Sequence, residues 1–369
     1  MGRGEAPTPA HAVRPGEVER TVKRMNGLVG GLVLVGAMVG GFTDCEQSQG
    51  DAARRTGTKE VRIALQPIPH FAPLYVAKEK GWLQEEFLRQ GAIVKWSSFP
   101  AGPPMNESFA SGKQDIGLMG DAPAIIGRAA GIDTRIIGRS SSGPTALAVV
   151  VRKHSPISSP GDLRGKKVAT VRGSCAHHLL TIVLRNGGMT TDDIRFLNMS
   201  QGAIATALEK GEIDAAAVWE PLITRLSGQG TARVLVDGTG LKKGILVIVA
   251  TKAFVDRNPV LVRKFLEVYE RGREYIRENP REAARLLSGE VKLPPVQMEK
   301  VLARFDFDPR LSEDDIAELK ASEVFMSAAR IIRERVDIAT FVSPAPPGPS
   351  GSTGGSSSRG AAPGTIGVE

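Results

Sequence analysis

The stretch "KGEIDAAAVWEP", residues 210–221, decides how the rest of the chain is read. Gly211 is followed three residues later by Asp214, then an apolar run, then Trp219, Glu220 and Pro221. "SGKQDIGLMGDAP", residues 111–123, has the same layout with Gly112, Asp115, an apolar run, Asp121 and Pro123. Short apolar runs bounded by turn signals suit strands buried on both faces. The same arrangement, written twice, implies a fold built of two similar halves.

Working outward, the first copy is preceded by strand "KWSSF", loop "PAGPP" and a helix closing on Gly112. The second is preceded by "RFLNM", "SQGA" and a helix closing on Gly211. From about 60 to 342 strands and helices alternate, beginning with "VRIALQ" (61–66) and reaching "ILVIVA" (245–250), after which the chain reads as mostly helical to about 336. Such alternation defines the α/β class and predicts mostly parallel sheets covered on both faces. "ALAVVVR" and "ILVIVAT" bracket the second run. The expected division is therefore lobe 1 at 60–151 and 251–342, and lobe 2 at 152–250. Two crossings make a hinged pair around a ligand cleft.

In open α/β sheets, ligands sit beyond the carboxyl ends of the strands, where both loops and both acid–proline corners lie. Asp115 and Asp214 read as helix-stop turns. Asp121 and Glu220 either cap the helices that follow or reach a ligand, and the two roles are compatible. A third wall is "TVRGSCAHHLLTIVL" (170–184): a strand ends, Gly173 turns, and Ser174 starts a helix. Free N–H groups at such an N-terminus bind anions, with Arg172 adding charge and the Ser174 hydroxyl a donor. Ser174 is equally an N-cap, and His177 in the first turn either reaches the same place or is structural. His177 and His178 face different ways and make a poor metal pair. With only two cysteines, Cys45 and Cys175, and no CxxC, no metal, cofactor or disulfide framework is expected.

The ends read differently. Arg20, Lys23 and Arg24 precede an apolar run from Leu28 to Val39, the layout of a secretory signal, shorter than a spanning helix. Residues before Met25 read as an upstream extension, so 1–45 is expected to be extension and presequence. Residues 343–369 are Pro, Gly and Ser with little apolar mass, a disordered tail on composition. The net charge of +8 is spread among acids, as in "RKFLEVYERGREYIRENPREAARLL", and describes a solvated helix face. The three Trp and three Tyr do not interleave with basic residues, so no nucleic-acid platform is expected.

Taken together, "FPAGP" (99–103), "GDAPA" (120–124), "HSPISSPGDLRGKKVA" (154–169), "RGSCAHHLL" (172–180), "VWEP" (218–221) and "DGTGL" (237–241) resemble the substrate-binding proteins of ABC importers for aliphatic sulfonates, taurine and nitrate. The resemblance covers about 280 residues, and its motifs are specific as a set. It implies a type II periplasmic-binding fold with a two-crossover hinge. It also implies capture of a small organic anion, foremost an aliphatic sulfonate, and delivery to a membrane permease with its ATPase by an exported monomer. Cys45 resembles a lipoprotein acceptor, although Phe42, Thr43 and Asp44 depart from that cleavage box; the alternative is plain cleavage in the periplasm. Carried onto this chain, the site is Gln66; Pro100, Ala101, Gly102 and Pro103; Gly120, Asp121 and Ala122; Arg172, Gly173, Ser174, Cys175 and His177; Trp219 and Glu220. "QPIPHFAP" (66–73) departs from the usual opening. Nitrate, taurine, a carboxylate or a thiamine-precursor pyrimidine remain alternatives for the ligand. A precursor synthase of the same fold is the enzymatic alternative, but its Cys-rich motif is missing here. A sensor would need a spanning helix and an output domain, and a DNA-bound regulator a helix-turn-helix before residue 60.

Overall fold

The computed structural model describes residues 59–343. The expected presequence with Cys45, and the Pro/Gly/Ser tail beyond Ser343, lie outside the described residues. The first run holds β1 (Lys59–Leu65), α1 (Ala72–Glu79), α2 (Trp82–Arg89), β2 (Ala92–Ser98), α3 (Gly102–Ala110), β3 (Ile116–Gly120), α4 (Asp121–Ala129) and β4 (Thr134–Ser141). The second holds β5 (Leu147–Arg152), β6 (Lys167–Thr170), α5 (Cys175–Asn186), β7 (Arg195–Asn198), α6 (Gln201–Lys210), β8 (Ala215–Trp219), α7 (Leu222–Gly228) and β9 (Ala232–Asp237). After β10 (Leu246–Thr251) come α8 (Lys252–Arg257), α9 (Pro259–Glu278), α10 (Pro280–Val291), α11 (Pro295–Leu302), α12 (Glu313–Ala328) and α13 (Ile338–Phe341).

The strands form two five-stranded sheets with matching topology, β2-β1-β3-β10-β4 and β7-β6-β8-β5-β9. In each, three strands pair in parallel and a fourth inserts antiparallel between the third and the edge: β10, which follows the second run, in the first sheet, and β5, which opens the second run, in the second. Four of the five strands in each sheet thus run the same way, as expected, and one runs against them, which makes the sheets mixed. This moves the expected lobe boundaries: β5 belongs to the second sheet and β10 to the first, so the crossings are residues 142–146 and 238–245. An apolar strand buried on both faces reads the same in either sheet, which is why the sequence pattern put both crossings too late.

Both crossings are backbone-tight. The Gly143 amide donates to the Lys243 carbonyl at 3.0 Å and the Gly238 amide to the Pro144 carbonyl at 3.0 Å. A Cβ on Gly238 would fall 2.6 Å from two carbonyl oxygens, so only glycine permits this approach.

The repeated aspartates have one shared job. Asp115 accepts the Arg62 amide at 2.8 Å and its guanidinium at 2.8 and 2.9 Å, while Asp214 accepts the Lys167 amide at 2.9 Å. Each ties the start of its strand to the parallel neighbour, beyond the turn role expected. Gly211 ends α6 in the left-handed conformation, donating to the Ala207 carbonyl, as its position after the helix predicts.

Each sheet is covered on both faces because successive strand residues point opposite ways. Leu118 and Ile248 pack with Phe265 and Tyr269 of α9, whereas Met119 and Val247 pack with Leu319 of α12 and Phe341 of α13. In the second sheet Val149 and Ala217 meet Leu179 and Val183 of α5, and Val150 and Ala216 meet Ile204 of α6 and Leu226 of α7. Each fully buried side chain of this size contributes about 2 kcal/mol of transfer free energy.

Candidate functional site

Three helix starts converge on one cavity between the sheets. Its volume is about 110 Å3, and it is lined from the first lobe by Gln66, Ile68, His70, Ala101, Gly102, Pro103, Asn106, Gly120, Pro123, Ile126 and Leu246. Val171, Arg172, Gly173, Ser174, Cys175 and Trp219 line it from the second. Aliphatic and aromatic surface dominates the lining, with few polar groups, the usual composition of a small-molecule pocket.

At the start of α5 the Ser174 amide donates to the Val171 carbonyl at 3.2 Å, closing the turn that leads into the helix. Gly173 has φ +74°, a conformation that side chains with a Cβ rarely adopt. Ser174 caps the helix, its hydroxyl accepting the His177 amide at 3.2 Å. The first-turn amides of Cys175 and Ala176 have no intrahelical acceptor, so they are available to an anion, which the helix dipole favours. Arg172 stands at the exposed edge with its guanidinium 4.7 Å over the Phe196 ring and its amide donating to Asn198 at 2.9 Å. The start of α3 follows Ala101 in extended conformation with no side-chain cap. Gln66 donates to the Leu118 carbonyl at 3.3 Å and Asn106 to the Pro123 carbonyl at 2.8 Å, which fixes both amides at the wall.

Five of the expected site residues lie elsewhere. Pro100 is exposed outside the lining. Ala122 is buried, its amide donating to Asp121 at 2.8 Å. Asp121 points away from the cavity: its other oxygen accepts from Lys242 at 3.1 Å and from Ser322 at 2.6 Å. Lys242, on the return crossing, also donates to Glu318 at 2.7 Å and to Ser322 at 3.1 Å. Burial alone would push the Asp121 carboxyl up, but the Lys242 ammonium, the Ser322 hydroxyl and His178 together outweigh it and hold the group below its ordinary value. Glu220 is fully buried and accepts from the Thr224 amide at 3.1 Å and hydroxyl at 2.9 Å, and from Arg304 of the other lobe. Its pKa is raised, mainly by burial, with Arg304 opposing. Capping is therefore the role seen for Glu220, and a ligand role is not.

His177 is structural too. Its Nδ1 accepts the Gly173 amide at 3.2 Å, and its ring lies against Phe196 and Phe325. Burial, aided by Arg172, lowers its pKa to about 4, so the imidazole is neutral and free to accept. Next to it, His178 stacks on Phe325 at 4.2 Å, which ties α5 to α12. Burial pushes the Cys175 thiol up to about 12, with the Asp121 charge adding to it, so it is a poor nucleophile. No cluster of three or more His, Cys, Asp or Glu that could hold a metal occurs among the described residues.

Sequence reasoning missed Ile68, His70, Asn106, Pro123, Ile126, Val171 and Leu246. Pro123 and Val171 adjoin residues it named, and the others lie further along the chain. His70 stood inside the "QPIPHFAP" departure, which was the available signal.

This architecture, paired α/β lobes of matching topology joined by two crossings with a cavity between them, is the type II periplasmic-binding fold. A family model described as NMT1/THI5 like matches residues 68–283, and the chain belongs to that family. It is 32% identical over 315 residues to a Bacillus subtilis protein named for aliphatic-sulfonate binding, covering 85% of this chain and 94% of that one. Among solved structures, the periplasmic aliphatic sulphonate binding protein SsuA from Escherichia coli superposes with a TM-score of 0.71 at 26% identity, covering 84% of this chain and 98% of that one. The alkanesulfonate-binding SsuA from Xanthomonas axonopodis pv. citri, bound to MOPS, gives 0.69 at 29%, covering 77% and 97%.

Proposed function

We propose that this protein is the extracytoplasmic solute-binding component of an ABC importer and captures an aliphatic sulfonate in the cavity between its lobes. The observation that carries the reading is the pairing of opposite surfaces in one cavity. The α5 start offers free amides beside Arg172, and the remaining wall is largely aliphatic and aromatic, with Trp219 over it. A sulfonate head with an apolar tail satisfies both.

The same lining argues against two relatives of that ligand. Taurine carries an ammonium, yet no carboxylate lines the cavity, since Asp121 and Glu220 are turned away and paired. Burying an ammonium without a counter-charge is costly. Nitrate has no tail to fill the apolar part. The names of the matched proteins support the sulfonate class and a periplasmic location; delivery to a membrane permease by a monomer is part of the proposal. The proposed role is binding, which requires no nucleophile.

Thermal unfolding at fixed ionic strength, with alkanesulfonates, taurine, nitrate and a thiamine-precursor pyrimidine in parallel, tests the reading. A ligand at one hundred times its Kd stabilises by about 2.7 kcal/mol. The midpoint is expected to rise with alkanesulfonates and to move least with nitrate. A rise with the pyrimidine alone would overturn the proposal.

A further inference from the structure

Among the described residues, the buried side-chain atoms without any hydrogen-bond partner are few, and those of a single residue, His70, belong to the cavity wall. Its Nδ1 is sealed and unpartnered, and the residue is only 3% exposed. Most other polar side chains here are engaged or stand at the edge: Gln66 and Asn106 hold backbone carbonyls, Ser174 caps α5, and Arg172 lies over Phe196. The Trp219 indole N–H is the other uncharged donor in the lining, which a His70→Phe comparison separates from His70. A sealed Nδ1 cannot itself meet a ligand, but Nε2 has no hydrogen-bond partner either and is not sealed, so in a residue that lines the cavity it is the nitrogen left for a ligand.

His70 is also at a defined end of the cavity. Its ring lies 4.5 Å from Phe305, and Phe305 packs on Gly143 of the first crossing, where a Cβ would sit 2.7 Å from that ring. Gly173 has different neighbours, Ile126 and Ile331. A sulfonate held at the α5 start leaves the walls of Trp219, Leu246 and His70 for its tail. Burial lowers the His70 pKa to about 3, so the imidazole is neutral. With nothing to accept a proton from Nδ1, the cheaper tautomer leaves that nitrogen bare and carries hydrogen on Nε2. The cavity then gains one uncharged N–H donor at its hinge end.

We propose, resting on the sulfonate reading, that the preferred ligands are sulfonates whose tail carries an uncharged oxygen acceptor, such as a hydroxyl, and that His70 reads it. A neutral donor gives no charge compensation to an ammonium and no formal attraction for a second anion. A site built to hydrogen-bond one group discriminates against the analogue that lacks it, because the protein's own group is then left unpaired.

Isosteric pairs test this, since a hydroxyl replaces a methyl without changing chain length. Propane-1-sulfonate is paired with 2-hydroxyethanesulfonate, butane-1-sulfonate with 3-hydroxypropane-1-sulfonate, and pentane-1-sulfonate with 4-hydroxybutane-1-sulfonate. Calorimetric titration of the full chain is expected to favour the hydroxylated member by about tenfold at one chain length. His70→Phe collapses that ratio toward one, and His70→Gln, which keeps an N–H donor, restores part of it. Urea unfolding of both variants confirms that they fold, and either suffices if the other does not. Equal affinities within every pair, or a ratio that survives His70→Phe, overturn the role of His70 while leaving the sulfonate reading intact. If the native chain binds neither member of any pair, the sulfonate reading itself falls.

Discussion

The two acid–proline corners look alike in sequence and work differently in the structure. In the first, Asp121 turns inward to a buried lysine from the return crossing, and only Gly120 and Pro123 face the cavity. In the second, Glu220 caps α7 through Thr224 and reaches Arg304 of the other lobe, while Trp219 faces the cavity. Both acids secure the hinge region; neither lines the cavity. One corner gives the pocket close backbone, the other a large aromatic surface. A repeated motif can thus preserve architecture while only its neighbours carry the binding.

The contrast can be broken most easily at Asp121. Asp121→Ala leaves the Lys242 ammonium short of a partner in a dry site, and is expected to cost about 3 kcal/mol in urea unfolding. A loss below about 1 kcal/mol would mean that Glu318 alone suffices for Lys242. Next comes Trp219→Ala, with about thirtyfold weaker alkanesulfonate binding by calorimetry and little change in stability. Unchanged affinity would remove the aromatic wall from the account. Glu220→Gln is expected to cost about 1 kcal/mol of stability, because Arg304 is partly exposed and can be solvated, and to leave affinity within about twofold.

The smallest effect is also the most specific to the comparison. Asp121 is held below its ordinary 3.8, so its stabilisation is present above that pH and is lost as pH falls through the lower folded value. Glu220 is raised above its ordinary 4.5, so its contribution is fully present below 4.5 and is lost as pH rises through the folded value. Relative to Asp121→Asn, the native chain weakens on acidification below 3.8. Relative to Glu220→Gln, it gains as pH falls toward 4.5. Matching signs in the two series would contradict the assigned partners.

Much of this was legible in sequence. The alternation, the glycine helix stops and the small-residue loops at strand ends are local signals, and "FPAGP", "GDAP", "RGSCAHH" and "VWEP" each deliver residues to the cavity. What was not legible depends on distant partners. Lys242 lies 121 residues from Asp121, and Arg304 lies 84 from Glu220, so no window on either corner shows which way the acid turns. The crossings were misplaced because β5 and β10 are apolar throughout, and no residue in them marks which sheet they join. His177 read as a ligand neighbour because its first-turn position is shared by both roles, and only the Gly173 contact separates them.

The central claim is that an anion sits on the free amides at the start of α5. Amide chemical shifts of the 15N-labelled protein, followed while propane-1-sulfonate is added, test it directly. The account predicts the largest shifts at Cys175 and Ala176, saturating together with those of Ala101 and Gly102. Saturable binding that leaves these four amides unmoved would contradict it.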